Sequence, residues 1–349
     1  KGVFGAIRDA SPDYWGRKII ERNTGNPQPG EMEYLLNSPD DRAGALGFGL
    51  NQIPPAPKRK FNQTLALAQL QAVAVALLAE EDVETNEVIR QVEHLLDLET
   101  SMGGARPKAV VEDADGLWVA KFNTGTDKWN NARVEHAMLL LARACGITSA
   151  HSKVADVAGS DVLLVKRFDH EKVEGGYLRA RMVSGLTLLR AEDTHQSRDK
   201  WSYVLLAEEL RKVCSEPAEN TEELFRRMCF NALISNTDDH PRNHAAIALN
   251  DKWKLSPAYD LTPGVPISKE RRDLAMLCGD GGRFANAGNL LTQCRRFLLT
   301  GEKAAEIIAS MENIVQSQWH RITRAAGVSE SDCRKISVAF VYDGFRQQP

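Results

Sequence analysis

The stretch ISNTDDHPRNHAAIALNDKWKLSPAYDL, residues 234–261, decides how this sequence is read. It sets Asp238 five residues before Asn243 and Asp260 seventeen residues beyond that Asn, across the runs HAAIALN and KWKLS, which predict a short strand pair. Transfer of a γ-phosphate needs one carboxylate to orient the acceptor hydroxyl and hard oxygen ligands to hold magnesium against the phosphates. Asp238, Asn243 and Asp260 supply such oxygens at the intervals found in protein kinases, where the metal-binding Asn follows the catalytic Asp on one loop and a second Asp follows the next hairpin. Asp239 stands only four residues from Asn243, so Asp238 is assigned as the base and Asp239 is secondary. Asp-Asp-His-Pro is also an ordinary polar turn. The functional reading therefore draws its weight from the residues upstream.

Upstream, LWVAKF (117–122) has the apolar, β-branched character of a strand, and Lys121 lies near its end. A strand-borne lysine can place one ammonium on the α- and β-phosphates if a carboxylate fixes it. Glu135, fourteen residues on and inside the helical run ARVEHAMLLLARACG (132–146), is the natural partner. That run predicts a helix with Val134, Met138, Leu141 and Ala142 near one face and Gly146 at its end. SMGGARPK (101–108) precedes Lys121 by the distance expected of a loop covering phosphates, and Gly103 and Gly104 would let backbone N–H groups approach a nucleotide. It is neither G-x-G-x-x-G nor a Walker A sequence, so its position carries the argument. VLLVKRFD (162–169) predicts a strand running into a polar turn, where Lys166, Arg167 and Phe168 could offer main-chain groups to an adenine edge.

Bulk properties narrow the field. The 349 residues suggest about two or three folding units, and 43% hydrophobic with 26% charged residues is the profile of a chain that buries a core. Lys and Arg total 44 against 47 Asp and Glu, so no global cationic field argues for direct nucleic-acid binding. The Arg-Arg pairs beginning at 226, 271 and 295 could touch phosphates, but paired arginines on helices are usually solvated faces or salt-bridge donors. The six cysteines show neither C-x-x-C nor metal-like spacing, as expected of reduced thiols in a cytosol. No uncharged apolar stretch approaches about 18 residues, so neither a membrane nor a secretory role is expected, and the chain is read as cytoplasmic.

Along the chain, turn-rich runs such as NTGNPQPG and the linker IPPAPKRK place a boundary near residue 57. The opening KGVFGAIRDASPDYWGR reads as the middle of a domain, so an upstream segment is expected. Residues 1–57 are taken as the remainder of an N-terminal subdomain. Residues 58–168 are a small mixed lobe with a helical hairpin over 61–81 and 85–98, and 169–349 a mainly helical lobe. The expected class is α+β, a bilobed protein-kinase-like fold.

With these residues in hand, S-x-x-G-A-x-x-K (101–108), the strand lysine, and N-T-D-D-H-x-x-N followed by L-S-P-A-Y-D-L resemble the HipA family of bacterial serine/threonine kinases. The motifs span roughly residues 100–265, and SPDYWGRKIIERN (11–23) looks like the end of that family's amino-terminal subdomain. The resemblance implies that Gly103, Gly104, Ala105, Arg106, Pro107 and Lys108 form the phosphate loop, that Lys121 holds the phosphates, and that Lys166–Phe168 bind adenine. His240, Pro241, Arg242, Asn243 and Tyr259 would complete an ATP pocket. Asp238 looks like the proton acceptor, Asn243 and Asp260 look like the Mg2+ ligands, and Ser101 falls where family members autophosphorylate and switch themselves off. Arg106-Pro107 stands where the family often has Gln-Glu, and Lys166 where an acidic residue is common. By the same resemblance the chain would be a toxin that phosphorylates a component of translation, notably an aminoacyl-tRNA synthetase. It would be held inactive by a HipB-like DNA-binding antitoxin that contributes most of the grip on operator DNA. The alternatives are a small-molecule kinase of the aminoglycoside-phosphotransferase kind and a catalytically idle co-repressor.

Overall fold

A computed structural model gives the fold and describes residues 3–12, 14–38, 41–52, 62–63, 67–68, 71, 108–265 and 268–346. The chain divides into two compact units, residues 1–127 with 152–182, and 128–151 with 183–349. It passes between them three times, whereas the linear reading sets boundaries at 57 and 168. The helix carrying Glu135 groups with the second unit and residues 169–182 with the first. Proximity along the sequence cannot reveal this, because contacts between distant segments determine which elements share a core.

In the first unit, helices α1 (Gly5–Asp9), α2 (Tyr14–Thr24) and α3 (Glu31–Asn37) precede a five-stranded sheet. Its strands are β1 (Asn62–Gln63), β2 (Lys108–Asp113), β3 (Gly116–Phe122), β4 (Ser152–Val157) and β5 (Ser160–Lys166), in the spatial order β1-β2-β3-β5-β4. β1 runs parallel to β2, and the pairs β2–β3, β3–β5 and β4–β5 are antiparallel. Side chains alternate between faces of a strand. Trp118, Ala120 and Phe122 of β3 therefore pack with Ala109, Val111, Val162 and Leu164 on one face. Leu117 and Val119 are buried on the other. Being apolar on both faces is what places LWVAKF at the middle of the sheet.

The expected helix at 61–81 begins instead as strand β1, although Leu67, Ala68 and Gln71 are helical. The rest of the expected helical hairpin, Ser101 and Gly103–Pro107 lie outside the described residues. A hairpin of β6 (His170–Val173) and β7 (Gly176–Arg179) follows, with register Val173↔Gly176, at the start of the stretch that the sequence reading assigns to a mainly helical lobe. The hairpin turns at Glu174-Gly175, with Gly175 in the left-handed region at φ +81°.

The second unit is mainly helical. Helix α4 (Asn131–Ala144) is N-capped by Asn130, whose side chain accepts the Arg133 N–H at 3.1 Å. It ends as expected at Gly146, at φ +78°, with the Ile147 N–H reaching back to the Ala142 carbonyl. Val134, Met138, Leu141 and Ala142 are all fully buried. Strand β8 (Arg181–Ser184), along which the chain passes from the first unit into the second, leads into a single helical turn, α5 (Gly185–Leu188). Then come α6 (Tyr203–Val213), capped by Ser202, and α7 (Pro217–Leu233), which has proline in its first turn. Strands β9 (Ala245–Ala248) and β10 (Lys254–Leu255) form the expected antiparallel pair. Helices α8 (Ala287–Thr292), α9 (Gly301–Ala325) and α10 (Glu330–Ile336) complete the unit. α6 packs on α7, and α9 on both α4 and α7. Among the described residues no helix is long and apolar enough to cross a membrane, and all six cysteines are buried thiols.

Candidate active site

The site residues of the second unit sit on two segments that leave the core, 234–244 after α7 and 256–264 after β10. Ser235 turns into the left-handed region at φ +54° and ends the helix. Its hydroxyl donates to the Ala339 carbonyl at 2.6 Å, and its own carbonyl accepts the Gly264 N–H at 2.9 Å. Arg272 donates to the Ser235 hydroxyl and, at 2.8 Å, to the Val338 carbonyl. The two segments are thus tied together at their bases. A Cβ at Gly264 would collide with the Ser235 carbonyl oxygen. We expect Gly264→Ala to lower stability by about 1–3 kcal/mol through forced backbone displacement. Urea unfolding of the variant would measure this, and an unchanged midpoint would contradict it.

Adjacent aspartates meet opposite environments. Asp239 is 1% exposed and accepts hydrogen bonds from the Tyr203 hydroxyl and, at 2.7 Å, from His244 Nε2. Burial, and then the neighbouring Asp239 carboxylate, hold the Tyr203 phenol well above its ordinary pKa, so it stays protonated and acts as the donor. Asp238 is exposed. Partial loss of solvent around its carboxyl nevertheless raises the pKa above 3.8, with Asp260, Asp239 and Asp193 pushing the same way and His240 opposing.

Pro241–Asn243 forms a single 3₁₀ turn. Asn243 is buried, its N–H donates to the His240 carbonyl at 2.9 Å, and its side-chain amide points to the Asp238 carbonyl at 3.4 Å. Arg242 pairs with Asp193 at 3.2 Å, and its carbonyl accepts the Tyr259 hydroxyl at 2.7 Å. Ala258 is held between Thr148 and Ala150 by two backbone bonds of 2.8 Å. Asp260 follows at φ +59°, a conformation that costs a non-glycine residue energy and is concentrated at functional sites. Among the described residues no cluster of three or more His, Cys, Asp or Glu is placed to hold a metal unaided. One carboxylate and one amide oxygen, those of Asp260 and Asn243, nevertheless are donors of the kind Mg2+ takes, its shell being completed by phosphate oxygens and water.

In the first unit, Lys121 is partly buried on β3, with Lys108 and Leu163 as its cross-strand neighbours, on the same face as Val119. Glu135, in the second unit, is buried at 6% exposure rather than lying on a solvated helix face. The Lys166 ammonium lies 5.9 Å from the centre of the Trp118 ring. Arg167 is committed to internal partners. Its guanidinium forks onto Asp169 with two bonds of 2.7 Å and donates to the Asp41 carbonyl at 2.7 Å, while its N–H donates to the Leu117 carbonyl at 2.8 Å. The Arg226-Arg227 pair is likewise internal, bonded to Glu222 and Glu223, with Arg227 also donating to the Ser256 carbonyl at 2.6 Å. Tyr203 and His244 escape a sequence reading, since nothing in their spacing announces that they meet Asp239.

A family model described as the HipA-like C-terminal domain matches residues 100–319. Among solved structures, the chain is similar to HipA from Shewanella oneidensis MR-1, in a complex of HipA, HipB and operator DNA. That likeness has a TM-score of 0.70 at 15% identity and covers 96% of this chain and 82% of that one. The proinflammatory kinase CtkA of Helicobacter pylori gives a TM-score of 0.44 at 14% identity, over 68% of this chain and 91% of that one. No curated protein sequence matches at a significant level. The likeness to HipA is one of fold, a mixed α+β arrangement. On the family match over residues 100–319, the chain belongs to the HipA-like C-terminal domain family.

Proposed function

We propose that this protein is an ATP- and Mg2+-dependent serine/threonine protein kinase of the HipA toxin type. The observation that carries this reading is the contrast at 238–239, where one carboxylate is buried and committed while its neighbour is exposed, with its pKa raised. An exposed carboxylate of raised pKa is suited to accept the proton of an incoming hydroxyl. Asp238 takes that role in this proposal. Asn243 and Asp260 supply the oxygens that would hold Mg2+, which when bound neutralises phosphate charge. Lys121 would position the phosphates, with Glu135 as its carboxylate partner, and Gly103–Lys108 would cover them. Main-chain groups of Lys166–Phe168 would meet adenine, and His240, Pro241, Arg242 and Tyr259 would line the rest of the pocket. The Arg167 N–H and guanidinium are already bonded within the first unit.

The remaining features follow by analogy with the family. They are autophosphorylation at Ser101, a substrate in the translation machinery such as an aminoacyl-tRNA synthetase, and neutralisation by a HipB-like antitoxin that binds operator DNA. The HipA of similar fold is in complex with HipB and its operator DNA, which supports the partner assignment. The test is incubation of the chain with γ-labelled ATP and Mg2+ in a bacterial lysate. Label on a serine or threonine of a protein supports the proposal. Label only on a small metabolite would point to an aminoglycoside-phosphotransferase-like activity. Absence of both nucleotide binding and transfer would leave only an idle co-repressor.

A further inference from the structure

The buried side of the 234–244 segment forms a continuous polar chain. Asn236 donates through its side chain to Asn231 Oδ1 at 3.0 Å, and its N–H donates to the Asn231 carbonyl at 2.8 Å. Asn231 donates to the Tyr203 hydroxyl at 3.3 Å, Tyr203 donates to Asp239, and His244 Nε2 meets the same carboxylate at 2.7 Å. Tyr203 and His244 also pack edge to face at 5.6 Å between ring centres. All five residues are at most 2% exposed. The backbone is secured at the same place, because the Gly185 N–H donates to the His244 carbonyl at 2.6 Å. A Cβ at Gly185 would lie 2.7 Å from the Pro241 carbonyl oxygen.

A spacing links this chain to the proposed chemistry. Asp239 and His244 are five residues apart and bonded to each other, and each immediately follows one of the proposed functional residues, Asp238 and Asn243. The buried pair thus spans the same five-residue interval as the exposed base and the proposed metal-binding amide, one residue out of step. A carboxylate this buried persists only when fully partnered. The hydrogen bonds that converge on it tie down the backbone of both segments that carry them. Tyr203 begins α6 and Asn231 lies in the last turn of α7, so the loop is referenced to two packed helices rather than to itself.

We infer that Asp239, with Tyr203 and His244, is a positioning residue that sets the register of Asp238 against Asn243. This rests on the kinase reading. The test uses the full chain and the variants Tyr203→Phe, His244→Leu and His244→Gln. The measurements are steady-state phosphate transfer across a Mg2+ titration and, independently of turnover, Mn2+ binding in the presence of a non-hydrolysable ATP analogue by electron paramagnetic resonance. Tyr203→Phe and His244→Leu are expected to lower kcat by about tenfold to a hundredfold, as misplaced catalytic groups do, and to raise the metal concentration for half-saturation severalfold. His244→Gln, which keeps an N–H able to reach Asp239, should recover most of the loss seen with His244→Leu. Unchanged kcat and metal affinity in both disruptive variants, with only the melting temperature lowered, would overturn the inference. Wild type that binds metal and nucleotide without transferring phosphate would overturn the kinase reading alone, because the metal-affinity differences among the variants would still support the positioning role. Absence of metal binding by wild type would overturn both.

Discussion

Asp238→Asn is expected to reduce phosphate transfer by about 10²- to 10⁴-fold, the usual contribution of a positioned general base. The fold should survive, because the residue is exposed. Its charge stands against those of Asp260, Asp239 and Asp193, with His240 opposing. Removing one like charge relieves repulsion, so the melting temperature should hold or rise while kcat collapses, the pattern of a site whose function opposes its stability. Measured by initial rates with labelled ATP alongside a thermal melt, equal rates in wild type and variant would remove Asp238 from the chemistry. A parallel fall in rate and melting temperature would make its role structural. Asp239→Asn offers the contrast, since that carboxylate has two buried donors and its alteration should destabilise the loop as well as slow transfer.

The largest expected effect on stability lies in the first unit, at Asp169. Its carboxylate is 2% exposed and receives the Arg167 fork, while one oxygen also accepts the Gly44 N–H at 3.0 Å. Arg179 adds a bond of 2.9 Å to the Gly44 carbonyl, so the cluster fastens residues 41–46 to the start of the β6–β7 hairpin. Asp169→Asn keeps an acceptor for Gly44 but strands a buried guanidinium, which should cost about 3–5 kcal/mol. That is a large share of the roughly 5–15 kcal/mol of a typical domain. The double variant Arg167→Met/Asp169→Leu should recover much of the loss, because it removes both charges.

The pH dependence follows from the same contacts. Burial alone would raise the Asp169 pKa, but the Arg167 and His170 charges and bonds outweigh it and hold the carboxyl well below 3.8. A depressed native pKa contributes stability that is complete above the unfolded value of about 3.9 and is lost as pH falls toward the native one. The gap between wild type and Asp169→Asn should therefore be constant from about pH 5 to 7 and close only below about pH 4. Urea unfolding at a series of pH values would measure it, and a gap that closes near neutrality would mean that another group carries the effect.

How much was legible in advance varies from element to element. The strand at Lys121, the helix ending at Gly146 and the hairpin between Asn243 and Asp260 could each be read in sequence because each obeys a local rule. Apolar residues on both faces mark a central strand, a left-handed glycine ends a helix, and alternation separated by a turn makes a hairpin. The β6–β7 hairpin was missed because its two strands are only four residues long, too short to carry a period of their own. The start of β1 was missed because a two-residue strand is defined by its partner β2 and not by its own sequence.

What the sequence by itself determined was the inventory and order of oxygen donors, Asp238, Asn243 and Asp260, together with the family to which they belong. Spacing along the chain is a covalent property, set before any packing. What only the tertiary structure decided was the division of labour between neighbours. Asp238 is left exposed while Asp239 is drawn inward by Tyr203, thirty-six residues away, and Arg167 is locked onto Asp169 and the carbonyl of Asp41. Burial and charge pairing belong to the packed chain, since the free energy of a carboxylate or guanidinium depends on which distant groups replace its water.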